Sequence, residues 1–530
     1  MLSSLLPEGK NILADLDIYI VLAYIVGIFV LAQVVSHRKT NEEVSSKGYF
    51  LAGNQLPWWA IGASLIAANI SAEQIIGMSG SGFRIGLAIA SYEWMAAITL
   101  IIVGKYFLPV FIQNGVMTMP GFLQQRFGPS VKYLMAIFWL VLYVFVNLTS
   151  ILWLGATAIS GVTGIEPIYA IIAIGVFALA YQINGGLKAV ALTDIVQVAL
   201  LILGGLIIVF ISFSKIGGEA GVLGGLHTLY TKFPEHFDMI LSKDSPHYAD
   251  LPGIAVLVGG LWIMNISYWG FNQYIIQRAL AAKSLGEAQK GIAFAAYLKL
   301  LMPVIVVFPG LAALILAPDI PKADHAYPAM MQLLPNGLLG LVFAALVAAI
   351  VASLASKINS ISTIFTLDVV APLRKDIPDV KLVTIGRIAS VVAVVVAMAV
   401  AQPLLGKTDQ AFQFIQEFTG FFTPGIVVIF ALGMFWKRCS TAGAFVAVAA
   451  SVILSTAAKY VLPDVPFMDR VGWVFGASLA LCVLVSLIVP NKKPVSTLTL
   501  EGVNFKTSTA FNILGVGVIL ILTALYVTLW

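Results

Sequence analysis

The chain has 530 residues, 60% of them hydrophobic and only 10% charged, against about 25% charged in an ordinary soluble domain. This places it in a membrane, with too little polar sequence left over for a receptor fused to a kinase or for an enzyme with its own globular catalytic domain. The net charge of +5 is spread over many short segments and makes no basic arm or stripe that would track nucleic acid.

Apolar runs of roughly 20 residues, the length that spans about 30 Å of hydrocarbon, recur along the whole chain. We read about fourteen membrane helices, approximately at 17–35, 58–80, 86–111, 131–159, 168–182, 190–213, 251–276, 288–316, 337–369, 382–401, 410–436, 442–461, 472–489 and 511–529. The first run follows Glu8 and Asp15 with no small-residue cleavage site after it, so it reads as a first span and not as a removable signal peptide. With the N-terminus outside, the cytoplasmic ends collect most of the cations, from Arg38, Lys39 and Lys47 through Arg126, Lys132, Lys188, Arg278, Lys283, Lys290, Arg374, Lys375, Arg387, Lys437 and Arg438 to Lys492 and Lys493, and both termini fall outside. The longest external loop is 214–250, with room for a short helix. Cys439 and Cys482 read as small apolar residues, and the five histidines fall in loops, so neither a disulfide framework nor intramembrane metal ligation is implied.

The second run places Asn69, Ser71, Glu73 and Gln74 near its middle, where hydrocarbon tolerates polar groups only if they face protein, a ligand or a water-filled cavity. Five spans later Asn265-Ile266-Ser267 echoes Asn69-Ile70-Ser71, in a run interrupted by Gly259, Gly260 and Gly270. Five is odd, so two five-span halves would sit in opposite orientations, an inverted repeat in which the first helix of each half is broken and binds substrate and ions.

At 1.5 Å per residue, Asn69 lies about 16 Å from the cytoplasmic side, Glu93 about 10 Å and Asn265 about 21 Å from the outside, Lys299 about 14 Å from the inside and Gln416 about 14 Å from the outside. Five spans thus bring amide, carboxylate and ammonium groups to the middle half of the bilayer, an inventory that suits a neutral polyhydroxylated ligand. Tyr92, Trp94, Trp262, Tyr268, Trp269 and Phe412 supply rings for packing or for stacking on a sugar. Lys299 either pairs with a carboxylate such as Glu93 or contacts the ligand. Asp194, about 9 Å from the cytoplasmic face, is an interfacial cap or a transient cation ligand. Glu73 and Glu417 read as members of structural pairs, and Lys105 and Lys357, near cytoplasmic ends, as snorkelling side chains. The run AALVAAIVASLASKINS at 344–360 is built for close helix packing, and its hydroxyls at Ser353 and Ser356 are hard oxygen donors of the kind an alkali cation takes.

Five stretches, LPWWA at 56–60, ASLIAANISAEQ at 63–74, ASYEWM at 90–95, YWGFNQYIIQR at 268–278 and FQFIQE at 412–417, resemble the solute:sodium symporter family, and within it the sodium/hexose carriers. The resemblance runs along almost the whole chain. It implies an all-α membrane protein with a five-plus-five inverted-repeat core of the leucine-transporter type, in which the first and sixth core helices are broken. It divides the chain into 1–50 (an extra helix and cytoplasmic loop), 51–213 (first repeat), 214–250 (external loop), 251–437 (second repeat) and 438–530 (three C-terminal helices). It also implies a sugar held by Gln74, Glu93, Asn265, Lys299 and Gln416 with Asn69 close by, an inner gate at Tyr268, and outer closure by Met78, Tyr92 and Phe412. Co-transported sodium would use the carbonyls of Ala67, Ile70 and Ala349 with the Ser353 hydroxyl, and leave past Asp194. Where the family has two adjacent serines, this chain has Ala352 before Ser353. Ala96 and Ser267 depart from the relatives' serine and tyrosine.

The expected activity is sodium-coupled import of a hexose, glucose or galactose, across the cell membrane. Rival readings are a sodium symporter for an inositol, sialic acid or proline, and an uncoupled sugar uniporter or sensor with the same pocket.

Overall fold

Long apolar runs satisfy their backbone in hydrocarbon by being helical or by closing a barrel. The protein, seen in a computed structural model, is helical throughout residues 13–36, 55–374, 377–406, 411–491, 498 and 500–530, the part the structure describes, apart from turns and one isolated bridge between Leu56 and Ala282. The expected cytoplasmic cations Arg38, Lys39, Lys47, Lys375, Lys492 and Lys493, and the side chain of Lys188, lie outside that description.

In chain order the helices of eight or more residues are α1 (Asp15–Ser36), α2 (Trp58–Asn69), α3 (Glu73–Arg84), α4 (Leu87–Gln113), α5 (Met119–Phe127), α6 (Pro129–Thr163), α7 (Pro167–Gly217), α8 (Gly221–Lys232), α9 (Ile254–Phe271), α10 (Gln273–Leu280), α11 (Leu285–Leu316), α12 (Leu338–Leu373), α13 (Asp379–Leu405), α14 (Phe412–Gly420), α15 (Thr423–Phe435), α16 (Thr441–Val461), α17 (Phe467–Ile488) and α18 (Thr509–Thr528). Among the described residues ten helices are long and apolar enough to cross a membrane, or up to twelve if each of two bent pairs is one span. The bent pairs are α2 with α3, at 63°, and α14 with α15, at 47°. The second bend falls inside what the sequence reads as one straight span at 410–436. The runs at 168–182 and 190–213 lie on continuous helical backbone in α7, and the segment at 214–250 carries α8, which places His227 on a helix and not in a loop.

The core is centred on α12, which is buried along most of its length and packs against α1, α2, α7 and α13. Its N-terminus is capped from another helix: the fully buried Asp17 of α1 accepts hydrogen bonds from Gly337 N and Gly340 N, both at 2.7 Å. A carboxylate there satisfies orphan amides and suits the positive end of the helix dipole. A Cβ on Gly340 would lie 2.6 Å from the Asp17 Cα, so only glycine admits this approach.

Close packing of α2 on α11 positions the site. A Cβ on Gly62 would stand 2.7 Å from the Gly291 carbonyl, and one on Gly291 would stand 2.8 Å from the Ile61 side chain. Glycines facing each other let the two backbones approach, as small residues do between membrane helices. Asn69, seven residues beyond Gly62, and Lys299, eight beyond Gly291, are thereby brought together.

Several expected loop cations are buried anchors. Arg126 of α5 donates to the carbonyls of Gly433 (2.8 Å), Trp436 (3.0 Å), Lys437 (3.2 Å) and Cys439 (3.0 Å), closing the C-terminus of α15. Lys132 pairs with Asp368 at 3.3 Å, and Asp368 also accepts from Thr118. Cys439 and Cys482, 43 residues apart in sequence, have their sulfurs 3.8 Å apart. Replacing Arg126 by Met removes a donor from four carbonyls, of which, among the described residues, only that of Trp436 keeps another, from Cys439 N, and it is expected to cost about 2–3 kcal/mol. The check is the thermal unfolding midpoint of purified protein in detergent, and an unchanged midpoint would contradict the anchoring role.

Candidate functional site

The local chemistry of the α2–α3 break explains why an apolar helix stops in mid-span. Ile70 leaves the helix with ψ of 104°. Ser71 then begins α3 as a capping box: its Oγ accepts from Glu73 N at 3.1 Å, and Gln74 Oε1 accepts from Ser71 N at 3.1 Å and from Ser71 Oγ at 2.9 Å. Each of these amides would have bonded a carbonyl four residues earlier. Ser71 N and Glu73 N are turned from Ala67 and Asn69 to side chains, and Gln74 N bonds Ser71 O at 3.2 Å in place of Ile70 O. The carbonyls of Ala67, Asn69 and Ile70 thus lose their helical donors. The Ala68 carbonyl accepts from the Ser353 hydroxyl of α12 at 3.1 Å.

A second break separates α9 from α10 at Asn272, whose ψ is 121°. Tyr143 of α6 holds it, donating to Asn272 Oδ1 and accepting from Gln273 N at 3.0 Å. Breaks thus fall in both runs where the sequence reading expects them, besides the bend between α14 and α15, but the matching tripeptides are not in matching places. Asn69 ends α2 beside its break, whereas Asn265 lies seven residues before the other. The break follows from Asn272 and its partner Tyr143.

Between the breaks lies a cavity of about 990 Å³, counting its open mouth. Asn69, Gln74, Glu93, Asn265, Lys299 and Gln416 all line it, as do Tyr92, Tyr268 and Phe412. Met78 is fully buried and does not line it. Lys299 donates to Glu93 and to Asn69 Oδ1, and its ammonium lies 5.0 Å from the Trp269 ring centre. Asn69 in turn donates to the Tyr268 hydroxyl at 2.8 Å. The ion pair and the cavity lining are one feature, because a buried ammonium needs a carboxylate and both are at the wall. Tyr92 and Phe412 meet edge to face at 5.5 Å between centroids.

Three cavity groups are buried without a hydrogen-bond partner among the described residues: the Asn265 amide nitrogen, the Asn147 amide oxygen and the Tyr92 hydroxyl. Buried polar groups are rarely left unpaired, and a donor, an acceptor and a hydroxyl together match a ligand bearing hydroxyls. Glu73 also lines the cavity, bonded to Ser150, so it is a wall residue with no ion pair among the described residues. Glu417 is a pair member as expected, with Lys459 at 3.1 Å and Arg470 at 2.8 Å. Sequence reasoning passed over Asn147, although it is an amide in the middle of an apolar run, the same signal that marks Asn69; Asn272 stands near the end of its run, where an amide is unremarkable. Ala96 and Ser267 both line the cavity.

Asp194 is fully buried. It accepts from Ser64 Oγ at 2.5 Å and lies 3.5 Å from the Arg278 guanidinium. Arg278 also donates to the Ser64 and Tyr274 carbonyls and to Ser356 Oγ, so this network ties α2, α7, α10 and α12 together. Lys357 does not snorkel: it is fully buried, with its ammonium 3.0 Å from Ser353 Oγ and 4.3 Å from the Tyr274 ring centre.

The sodium:solute symporter family matches residues 49–450. The chain belongs to that family. It is 48% identical to the sodium/glucose cotransporter of Vibrio parahaemolyticus, over 98% of this chain and 99% of the relative. It is 33% identical to sodium/myo-inositol cotransporter 2 of Mus musculus, over 81% of this chain and 68% of that one. The fold is shared with a substrate-bound, outward-open Na+-coupled sialic acid symporter, at TM-score 0.78 and 20% identity over 91% of this chain and 99% of the other. It is shared more distantly with a nucleobase-cation-symport-1 family transporter in a closed conformation, at TM-score 0.54 and 14% identity.

Removing one member of a buried ion pair strands the other charge. Glu93→Ala and Lys299→Ala are each expected to lower stability by about 3–5 kcal/mol, and the double variant by clearly less than their sum. A double-mutant cycle on unfolding in detergent checks this, and additive losses would contradict a coupled pair.

Proposed function

We propose that this family member is a sodium-coupled secondary symporter that imports a hexose, glucose or galactose, by alternating access. The observation that carries the reading is the cavity itself, where partnerless hydroxyl, amide donor and amide acceptor groups share a wall with a helix break whose Ala68 carbonyl accepts from the Ser353 hydroxyl. Identity of 48% to a sodium/glucose cotransporter supports it. In this reading α2 to α15 form the five-plus-five inverted-repeat core, with α1 before it and α16 to α18 after it. The chain makes fourteen crossings when α7 counts as two, and both termini are outside the plasma membrane.

Asn69, Gln74, Glu93, Asn265, Lys299 and Gln416 hold the sugar, Tyr268 closes it from within, and Tyr92 and Phe412 close it from outside, with Met78 supporting them from behind. Sodium takes the carbonyls of Ala67, Ile70 and Ala349 and the Ser353 hydroxyl, joining α2 to α12 and favouring the state that binds sugar from outside. Asp194 lies on its way to the cytoplasm. One charge moving through 100 mV contributes about 2.3 kcal/mol and a tenfold sodium ratio about 1.4 kcal/mol more, enough for several-hundred-fold accumulation. A cyclic polyol such as myo-inositol is the second reading, supported by the 33% identical inositol cotransporter and by the same hydroxyl-matching wall.

The test is labelled-glucose uptake into liposomes of purified protein, with unlabelled galactose or myo-inositol as competitor. Accumulation is expected only with an inward sodium gradient, and equal uptake without one would sink the symport reading. Competition by myo-inositol alone would select the second reading. Gln416→Ala is expected to abolish uptake in folded protein, and Ser353→Ala to raise the sodium concentration needed by tenfold or more.

A further inference from the structure

The proposed sodium position adjoins a charge that the transport reading leaves unused. Ser353 and Lys357 are one turn apart on α12, and both are fully buried. The Lys357 ammonium donates to Ser353 Oγ at 3.0 Å, and Ser353 Oγ donates to the Ala68 carbonyl at 3.1 Å. A cationic head, a hydroxyl and the Ala68 carbonyl therefore form one chain from α12 to the end of α2. Beyond Ser353 the ammonium rests on the face of Tyr274 at 4.3 Å. Among the described residues no carboxylate lies within ion-pair distance of it, whereas Lys132, Lys299 and Lys459 all have one. The charges that act on it from further off are Glu73 at the cavity wall and Arg278.

Buried lysines are normally paired, and this one has a hydroxyl and a ring in place of a carboxylate. We propose that Lys357 is a tethered cation that competes with transported sodium at Ser353 and so sets the sodium concentration at which the transporter works. The competition has two parts. The ammonium occupies one of the two lone pairs that the hydroxyl oxygen offers. It also repels: two unit charges about 5 Å apart at an effective dielectric near 20 weaken binding by roughly two- to three-hundredfold. In the ion-free protein the same ammonium secures the Ser353 side of the α2–α12 contact. Ala352, where a second hydroxyl is absent, makes Ser353 the side-chain oxygen on which both cations depend. This inference rests on the sodium-symport reading and goes beyond it by naming the residue that tunes ion affinity.

The experiment compares the wild type with Lys357→Met, which keeps the volume without the charge, Lys357→Gln, which keeps a donor for Ser353 without the charge, and Lys357→Arg, which keeps the charge. Radiolabelled sodium binding is measured on purified protein by scintillation proximity, with sodium titration of labelled-sugar uptake in parallel, and folding is followed by the thermal unfolding midpoint. Lys357→Met and Lys357→Gln are expected to bind sodium at least tenfold more tightly than the wild type, and Lys357→Arg to bind no more tightly. Folded Met and Gln variants whose sodium affinity is unchanged or weaker, in a wild type that does couple to sodium, would overturn the inference and leave the symport reading standing. If neither wild type nor variants bind sodium or respond to it, the symport reading fails, and this inference with it.

Discussion

Everything in this site depends on how the backbone is satisfied where α2 stops. In hydrocarbon a freed carbonyl is costly, so a helix break at mid-depth persists only if side chains replace the lost bonds. Ser71 and Gln74 do this for the amides and leave the carbonyls of Ala67, Asn69 and Ile70 without helical donors. One local motif thus removes donors from oxygen atoms and holds those atoms in place. At the other break the same task falls to a neighbouring helix, through the Tyr143 hydroxyl.

The short α2–α3 segment also joins the two ligands of the proposed cycle. Its Ala68 carbonyl bonds Ser353 of α12, where the cation is proposed to bind, while Asn69 and Gln74 line the cavity with Glu93 and Lys299. A shift of the break toward or away from α12 therefore moves both sites together. Lys299 is held by Asn69 and Glu93 at once, so a sugar that rearranges either one is felt at the end of α2. Binding linkage follows: if sodium tightens sugar by some factor, sugar tightens sodium by the same factor.

Much of this was legible in the sequence, for identifiable reasons. Polar residues in the middle of apolar runs are rare enough that Asn69, Gln74, Glu93, Asn265, Lys299 and Gln416 marked themselves, and all six line one cavity. Ser71-x-x-Gln74 is a readable capping signature, and it locates the first break to the residue. The second break was read from an echo at Asn265 that has the wrong register, because its cause is a tyrosine far away in sequence. The 47° bend between α14 and α15 was legible but unread: Gly420 ends α14 and Pro424 stands in the first turn of α15, on either side of Phe421 and Phe422, the pattern that stops one helix and starts the next. Lys357 was misread because sequence distance from a helix end measures depth and not which side of the helix is covered, and α12 is buried on nearly every side.

The central claim is that one broken helix couples cation and sugar, and the most direct measurement is the equilibrium affinity for each ligand with and without the other. Sodium binding to the purified protein would be titrated at zero and saturating glucose, and glucose binding at zero and saturating sodium, by calorimetry in detergent. The account predicts that each ligand tightens the other by the same factor, fivefold or more on the scale of ordinary allosteric coupling. Two independent affinities, neither moved by the other ligand, would contradict it.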